Sequence, residues 1–400
     1  MNFESEINKK NLILITIVSV SLRLFFLFFY EGLNTEFIED SRVYFYNAKY
    51  VEKNGLLSWK FHANPPLISL IIIPLIKIFP ENITVISIKI LMILISVLTC
   101  IALYFLTFEI SKSNKISLIT SACIAIYPFS IFISNRLLTE NPASLFICLI
   151  SIFFIKFFKK KNFKFLFFAS FLLGLLSLTR SSYFYLPFFL ILVIFFINMN
   201  IFRKVLSVLI LLLTFFTTLS PWIINNYIQL NEIVPTTTRL GKGLWISNND
   251  FSSEIIKRGG YEKTKKHNIV YENSKSLHPV ERSKYLTKKA MKEIFNNKSQ
   301  FFKSCIYRFI NFFHPKPNPY TKYNPRDIVM ILFYSPFLII FFISIINQKY
   351  ELNKILLLSI IFYAVISHLP FYGIPRFRLP VDSLIFLLSI NYLYNKKIIN

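Results

Sequence analysis

Long apolar runs separated by short polar stretches set the pattern of this chain. Residues 11–30, 84–108, 115–134 and 327–346 are nearly unbroken stretches of Ile, Leu, Phe and Val. Each is close to the roughly 20 residues that a helix needs to cross a hydrocarbon layer. Inside such a layer the backbone must satisfy its own hydrogen bonds, so the runs are read as helices. Shorter apolar runs at 142–158, 163–179, 205–220, 353–369 and 380–394, and another before Arg203, continue the pattern. Residues 66–80, PLISLIIIPLIKIFP, interrupt it. They are too short to cross, contain three prolines and Lys77, and read as a re-entrant or interfacial helix. The expectation is an all-α polytopic membrane protein of about ten spans.

Charge orients these runs. The loop Lys156 to Lys164 carries five lysines and no acid, which marks it as cytoplasmic. Alternation from that loop places Lys9, Lys10, Lys112, Lys115, Arg203, Lys204, Lys349, Lys354, Lys396 and Lys397 inside, with both termini cytoplasmic. Such a protein belongs in a membrane that borders the cytoplasm. The first run has no small-residue cleavage site and is read as a retained helix.

Composition narrows the function. The net charge of +25 would suit a nucleic-acid protein, but the lysines border apolar runs, so membrane lipids, and not nucleic acid, are the expected partners. Cys100, Cys123, Cys148 and Cys305 form no CxxC pair, which gives neither a disulfide framework nor a zinc site. No internal repeat is visible, against an inverted-repeat transporter.

With this topology the polar clusters gather on the outer side. The first outer loop, 31–83, holds Glu39-Asp40-Ser41, a stripe of Tyr44, Ala48 and Val51 at helical spacing, and FHANPP at 61–66 with His62. Later outer loops hold Asn135-Arg136, Thr139-Glu140-Asn141, Thr179-Arg180 and PFYGIPRFRLP with Arg376 and Arg378. The outer segment opens PWIINNYIQLNEIVPTTTRLGKGLWISNN. Each site has a plain structural reading: arginines at helix ends snorkel, Asp40 caps a helix, Glu140 complements a helix dipole, and Trp222 and Trp245 anchor at the interface. Their conjunction on one face suits glycosyl transfer from a lipid phosphate. A carboxylate takes the acceptor hydroxyl's proton, and guanidinium groups hold the leaving phosphate.

These motifs resemble the GT-C class of polyprenyl-phosphate-sugar-dependent glycosyltransferases, in particular bacterial family 39/83-like proteins related to protein O-mannosyltransferases and aminoarabinose transferases. The matching pieces are Asp40, Tyr44 and Ala48; Pro65-Pro66; Leu138 and Glu140; Leu178 to Arg180; the PW…NN stretch at 221–249; and P-R-F-R-L-P at 375–380. This chain departs by carrying Glu39-Asp40-Ser41 at the acidic pair and Asn225 where relatives carry Arg. The resemblance implies Asp40 as base in an inverting transfer, with Glu39 and Glu140 orienting substrate or a metal. It implies Arg376, Arg378 and Arg180 on phosphate and His62 among the substrate contacts. A polyprenyl-phosphate-linked sugar is the implied donor. A glycolipid, glycan or protein is the acceptor. No motif demands a metal, and a divalent ion is compatible with the acids. Three regions follow: a transmembrane module over 1–221, an extracytoplasmic segment over 222–326 and C-terminal helices over 327–400. A flippase for lipid-linked saccharides and a non-catalytic scaffold are the competing readings.

Overall fold

The computed structural model describes residues 7–33, 35–55, 58–59, 62–347 and 349–398; Phe61 of the FHANPP stretch lies outside them. Eighteen α-helices follow one another, with no strand among the described residues. The first part comprises α1 (Lys9–Phe26), α2 (Glu39–Asn54), α3 (Leu67–Ile78), α4 (Glu81–Ser111), α5 (Asn114–Ile126), α6 (Pro128–Ser134), α7 (Glu140–Lys160), α8 (Phe163–Thr179), α9 (Leu186–Phe195) and α10 (Ile201–Leu230). A helical segment follows with α11 (Leu240–Asn248), α12 (Glu254–Lys257), α13 (Lys265–Glu272), α14 (Pro279–Asn296) and α15 (Lys298–Phe312). The chain closes with α16 (Pro325–Asn347), α17 (Leu352–His368) and α18 (Pro375–Asn395).

Helices α1, α4, α7, α10 and α16 are each long and apolar enough to cross a membrane, and α5 with α6 makes a sixth if that bent pair is one span. This compares with the ten expected; α3, α8, α9 and α17 are shorter apolar helices. Helix α18 has the length, but it carries Arg376, Arg378 and Asp382 and is buried almost throughout from Pro375 to Ile390. It packs against α16, α7, α17 and α5, so its charges face protein.

Proline chemistry explains where the helices differ from expectation. The single run expected at 115–134 is bent by 59° between α5 and α6. Tyr127 precedes Pro128 and takes extended dihedrals, because a following proline disfavours the helical region. The Ala125 carbonyl at this break accepts from Arg23 Nη1 at 3.1 Å. Arg23, wholly buried in α1, also donates to Ser96, Ser19 and Ser130, so neutral partners solvate its charge. Helix α10 does not stop at 220, where the apolar run was bounded; it continues to Leu230. The Thr217 carbonyl, left free by Pro221, accepts from Ser220 Oγ at 2.8 Å.

Helix α3 behaves as an interruption. Its 12 residues span about 18 Å, well short of a bilayer core. Lys49 of α2 and Glu81 at the start of α4 form an ion pair. The C-terminal end of α3 therefore lies beside α2.

Candidate functional site

Helix α2 sets the first acid. Its opening residue, Glu39, has φ of +50°, a left-handed conformation uncommon outside glycine. The Glu39 side chain is exposed. The next residue, Asp40, makes no cap: its Oδ2 accepts from Arg376 Nη2 at 3.0 Å, and its Oδ1 lies 3.9 Å from Arg239 Nη2. One turn later Tyr44 is buried, and Ala48 and Val51 continue the same inward face. Burial first, then the carboxylates of Asp40 and Glu140, push the Tyr44 phenol well above its ordinary value, so it stays protonated.

Glu140 opens α7 and is wholly enclosed. Its Oε1 accepts from Arg376 Nε at 2.7 Å and pairs with Arg180 Nη1 at 3.0 Å. Arg180 also donates to Thr139 Oγ1 at 3.2 Å and lies over the Phe377 ring at 5.3 Å. Arg376 thus bridges Asp40 and Glu140. The two carboxylates differ in access: the Asp40 side chain is 37% exposed and that of Glu140 is 1%. Asp40 is the more accessible of the two.

The two arginines of P-R-F-R-L-P separate because the motif is helical. Pro375 occupies the first turn of α18, where a missing N–H costs nothing. Residues two apart on a helix point about 200° from each other. Arg376 therefore reaches the acids while Arg378 turns into the core. Arg378 Nε bonds Asp382 Oδ1 at 2.7 Å, Nη1 bonds the carbonyls of Phe312 and His314, and its plane covers the Tyr334 ring at 4.0 Å. The two arginines expected together in a loop lie apart, Arg376 between the two acids and Arg378 in an enclosed ion pair.

Beside Asp40 lies a cleft of about 380 Å³ lined by His62, Asn64, Arg239, Lys242, Tyr271 and Arg282, among others. The PW…NN stretch builds its far wall. Trp222 and Asn226, one turn apart on α10, bond the carbonyls of Thr236 and Val234 at 2.6 and 2.7 Å and draw the chain back over the site. Thr238 N then donates to His62 O at 2.8 Å, and Arg239 Nη1 to Asn64 Oδ1 at 2.9 Å. Trp222 and Trp245 are buried packing residues here, not exposed interfacial anchors.

Asn226 also fixes the His62 tautomer. Its amide nitrogen is spent on Val234, so its oxygen accepts from His62 Nδ1–H at 2.9 Å, leaving Nε2 as the acceptor nitrogen. Burial lowers the His62 pKa below its ordinary 6.5, which keeps the ring neutral. Asn225, where an arginine was expected, is buried with both amide atoms unpartnered.

Arg239 and Lys242 lie within the PW…NN stretch, where the sequence alone gives them no role. Their signal is the short T-T-R-L-G-K run, which is basic and lies just beyond the wall-building residues. Among the described residues no three of His, Cys, Asp and Glu gather as metal ligands. Asp40 and Glu140 do not fit a shared divalent ion as placed, because the Arg376 guanidinium lies between them.

Comparison with known proteins agrees with this architecture. Residues 63–224 match the model of the dolichyl-phosphate-mannose-protein mannosyltransferase family. A search of curated protein sequences finds no match. Among solved structures, the Archaeoglobus fulgidus oligosaccharyltransferase tethered with an acceptor peptide containing the NVT sequon superposes with a TM-score of 0.61 at 12% identity, over 97% of this chain and 49% of that one. The same organism's enzyme in complex with Zn and sulfate gives 0.59, again at 12% identity and with the same coverage. ArnT from Cupriavidus metallidurans bound to undecaprenyl phosphate is a more distant likeness, with a TM-score of 0.44 at 10% identity, over 96% of this chain and 77% of that one. The chain spans about half the length of the oligosaccharyltransferase chains it matches. The fold is of GT-C type, the resemblance read from the motifs stands, and the chain is an integral membrane protein.

Proposed function

We propose that this protein is a glycosyltransferase that moves a sugar from a polyprenyl-phosphate donor to an acceptor hydroxyl on the extracytoplasmic face. The observation that carries the reading is the accessible Asp40 carboxylate, held by Arg376 at the edge of a basic cleft. In the reaction the acceptor oxygen attacks the anomeric carbon and its proton passes to Asp40. The bond from that carbon to the phosphate oxygen breaks with inversion, and the lipid phosphate departs with the electron pair. Phosphate is a good leaving group, so cations matter more than an acid.

Arg239 and Lys242 are the groups assigned to that phosphate. Arg376 is already shared between two carboxylates and Arg378 is enclosed, whereas Arg239 is 48% exposed in its side chain. Arg282 also lines the cleft, but it donates to the carbonyls of Ser274 and Lys275, so it shapes the wall while adding charge. Glu140 and Arg180 form the rigid base on which Arg376, and through it Asp40, is oriented. Glu140, enclosed as it is, contacts no substrate in this reading and acts through Arg376. His62, neutral, presents a further acceptor from the cleft wall. The region assignments follow: a transmembrane module to about residue 221, an extracytoplasmic segment over 222–326 and C-terminal helices thereafter. Glycolipids, glycans and proteins remain the acceptor classes.

The test is transfer itself. Purified protein in proteoliposomes is offered radiolabelled polyprenyl-phosphate sugars with a panel of lipid, glycan and peptide acceptors. Labelled product that depends on both substrates supports the reading. Donor translocation with no transfer would replace it with a flippase.

A further inference from the structure

Two neighbouring helices of the segment between α10 and α16 bury opposite kinds of residue. Helix α14 is ordinary: Val280, Leu286, Ala290 and Ile294 face inward, while Lys284, Lys288 and Lys292 face outward. Helix α15 is inverted. Its inward residues are Ser304, Arg308 and Phe312. Its outward residues include Phe302, Ile306, Phe309 and Ile310, which are 44–67% exposed. At about 100° per residue these four fall within an arc of about 100°, roughly opposite Arg308. Lys298 and Lys303, both exposed, fall just beyond the two edges of that arc. Water disfavours such a face, whereas the boundary between headgroups and acyl chains favours it, with lysines at the margins reaching the phosphates.

The position of α15 agrees. Arg308 Nη1 donates to the carbonyl of Leu369, the residue that ends α17, at 3.0 Å. The Phe312 carbonyl at the end of α15 accepts from Arg378 in the first turns of α18 at 3.0 Å. Helix α15 therefore lies where α17 ends and α18 begins, at the rim of the apolar bundle. Beyond it the chain enters α16, whose first turns expose Ile328, Val329 and Leu332, so the apolar surface continues from α15 into a spanning helix.

We propose that α15 is a membrane-seated helix, with Phe302, Ile306, Phe309 and Ile310 in the lipid on the side of the bilayer that carries Asp40. The lipid seat would also hold the turn before α18. The Tyr320 hydroxyl donates to the Gly373 carbonyl at 3.1 Å, and a Cβ at Gly373 would stand 2.0 Å from the Arg308 carbonyl oxygen. The turn that launches Arg376 is thus packed directly on α15. This inference concerns lipid contact and does not depend on the reaction proposed above.

Nitroxide accessibility tests it in the full chain, reconstituted at one copy per nanodisc. The half-exposed Cys305 is first changed by Cys305→Ser; Cys100, Cys123 and Cys148 are buried and stay. Labels are then placed through Phe302→Cys, Ile306→Cys, Lys288→Cys on α14 and Ile339→Cys on the exposed face of α16. The expected result is oxygen access exceeding that of a polar nickel chelate at 302, 306 and 339, with the order reversed at 288. Nickel access dominating at 302 and 306, with 339 still lipid-like, would overturn the proposal. So would shielding of both positions from both reagents, which would mean that protein covers the face.

Discussion

Arg376 and Arg378 are chemically identical and two residues apart, yet they do different work because a helix begins at Pro375. The sequence carried that signal in the proline itself, a residue suited to a first helical turn. Reading the motif as a loop hid it. The consequence is measurable as a contrast. Arg378→Ala leaves Asp382 buried without its cation, a change worth about 3–5 kcal/mol, and should appear as a large loss in thermal stability or yield. Arg376→Ala should leave a folded protein, because Arg180 still pairs with Glu140, but slow transfer about ten- to a hundredfold. Lysine at 376 should restore part of the rate, since it lacks the fork that spans two acids. Folding losses of equal size in both alanine variants would contradict the division of roles. His62 gives a second residue-scale expectation. Its pKa is lowered in the folded state by burial, so the folded protein binds fewer protons than the unfolded chain below about pH 6.5. Its contribution to stability is present above that value and is lost as pH falls through the depressed folded pKa. The stability difference between wild type and His62→Gln, followed by denaturant unfolding, should therefore shrink on acidification; a difference independent of pH would show that the ring is not held neutral.

At the scale of elements, most of the apolar pattern was legible because length and hydropathy are local properties. Helix bounds at prolines were not legible, because what a proline does depends on its surroundings. Pro221 did not end α10, because Ser220 takes up the carbonyl that the proline frees. Pro128 did break the next run, and the break is supported by an arginine from a different helix, which no local reading of 115–134 reveals. The run at 66–80 was read as too short to cross, and the Lys49–Glu81 ion pair adds that the C-terminal end of α3 sits beside α2. Leu57, a natural labelling position in this loop, lies outside the described residues, but Lys53 and Asn82 are exposed on either side of α3. Cysteines placed at these two positions should react with a membrane-impermeant maleimide from the same side of sealed vesicles. Reaction from opposite sides would make α3 a crossing element and, with the 156–164 loop as anchor, reverse the assigned side of everything before α3, Asp40 included.

At the scale of the whole molecule, the site is assembled from residues as distant in sequence as Asp40, Glu140, Arg239 and Arg376. Motif order made the conjunction of Asp40, Glu140, Arg180 and Arg376 legible, and the structure joins them: Arg376 bridges the two acids and Arg180 pairs with Glu140. Only the resemblance ranked the acids in the sequence, because access depends on packing: Asp40 faces the cleft while Glu140 is enclosed. The cations of the cleft were hidden for the same reason, since Arg239 and Lys242 reach the site only because α10 folds its trailing chain back over His62. The central claim is that Asp40 removes the acceptor's proton. Single-turnover transfer by wild type and Asp40→Asn, each with donor binding measured in parallel, tests it most directly. Asparagine keeps the size and a hydrogen-bonding oxygen but cannot take a proton. The account predicts near-normal expression and donor affinity with transfer reduced by about 10²–10⁴, the usual worth of a general base. Transfer at the wild-type rate by Asp40→Asn would contradict it.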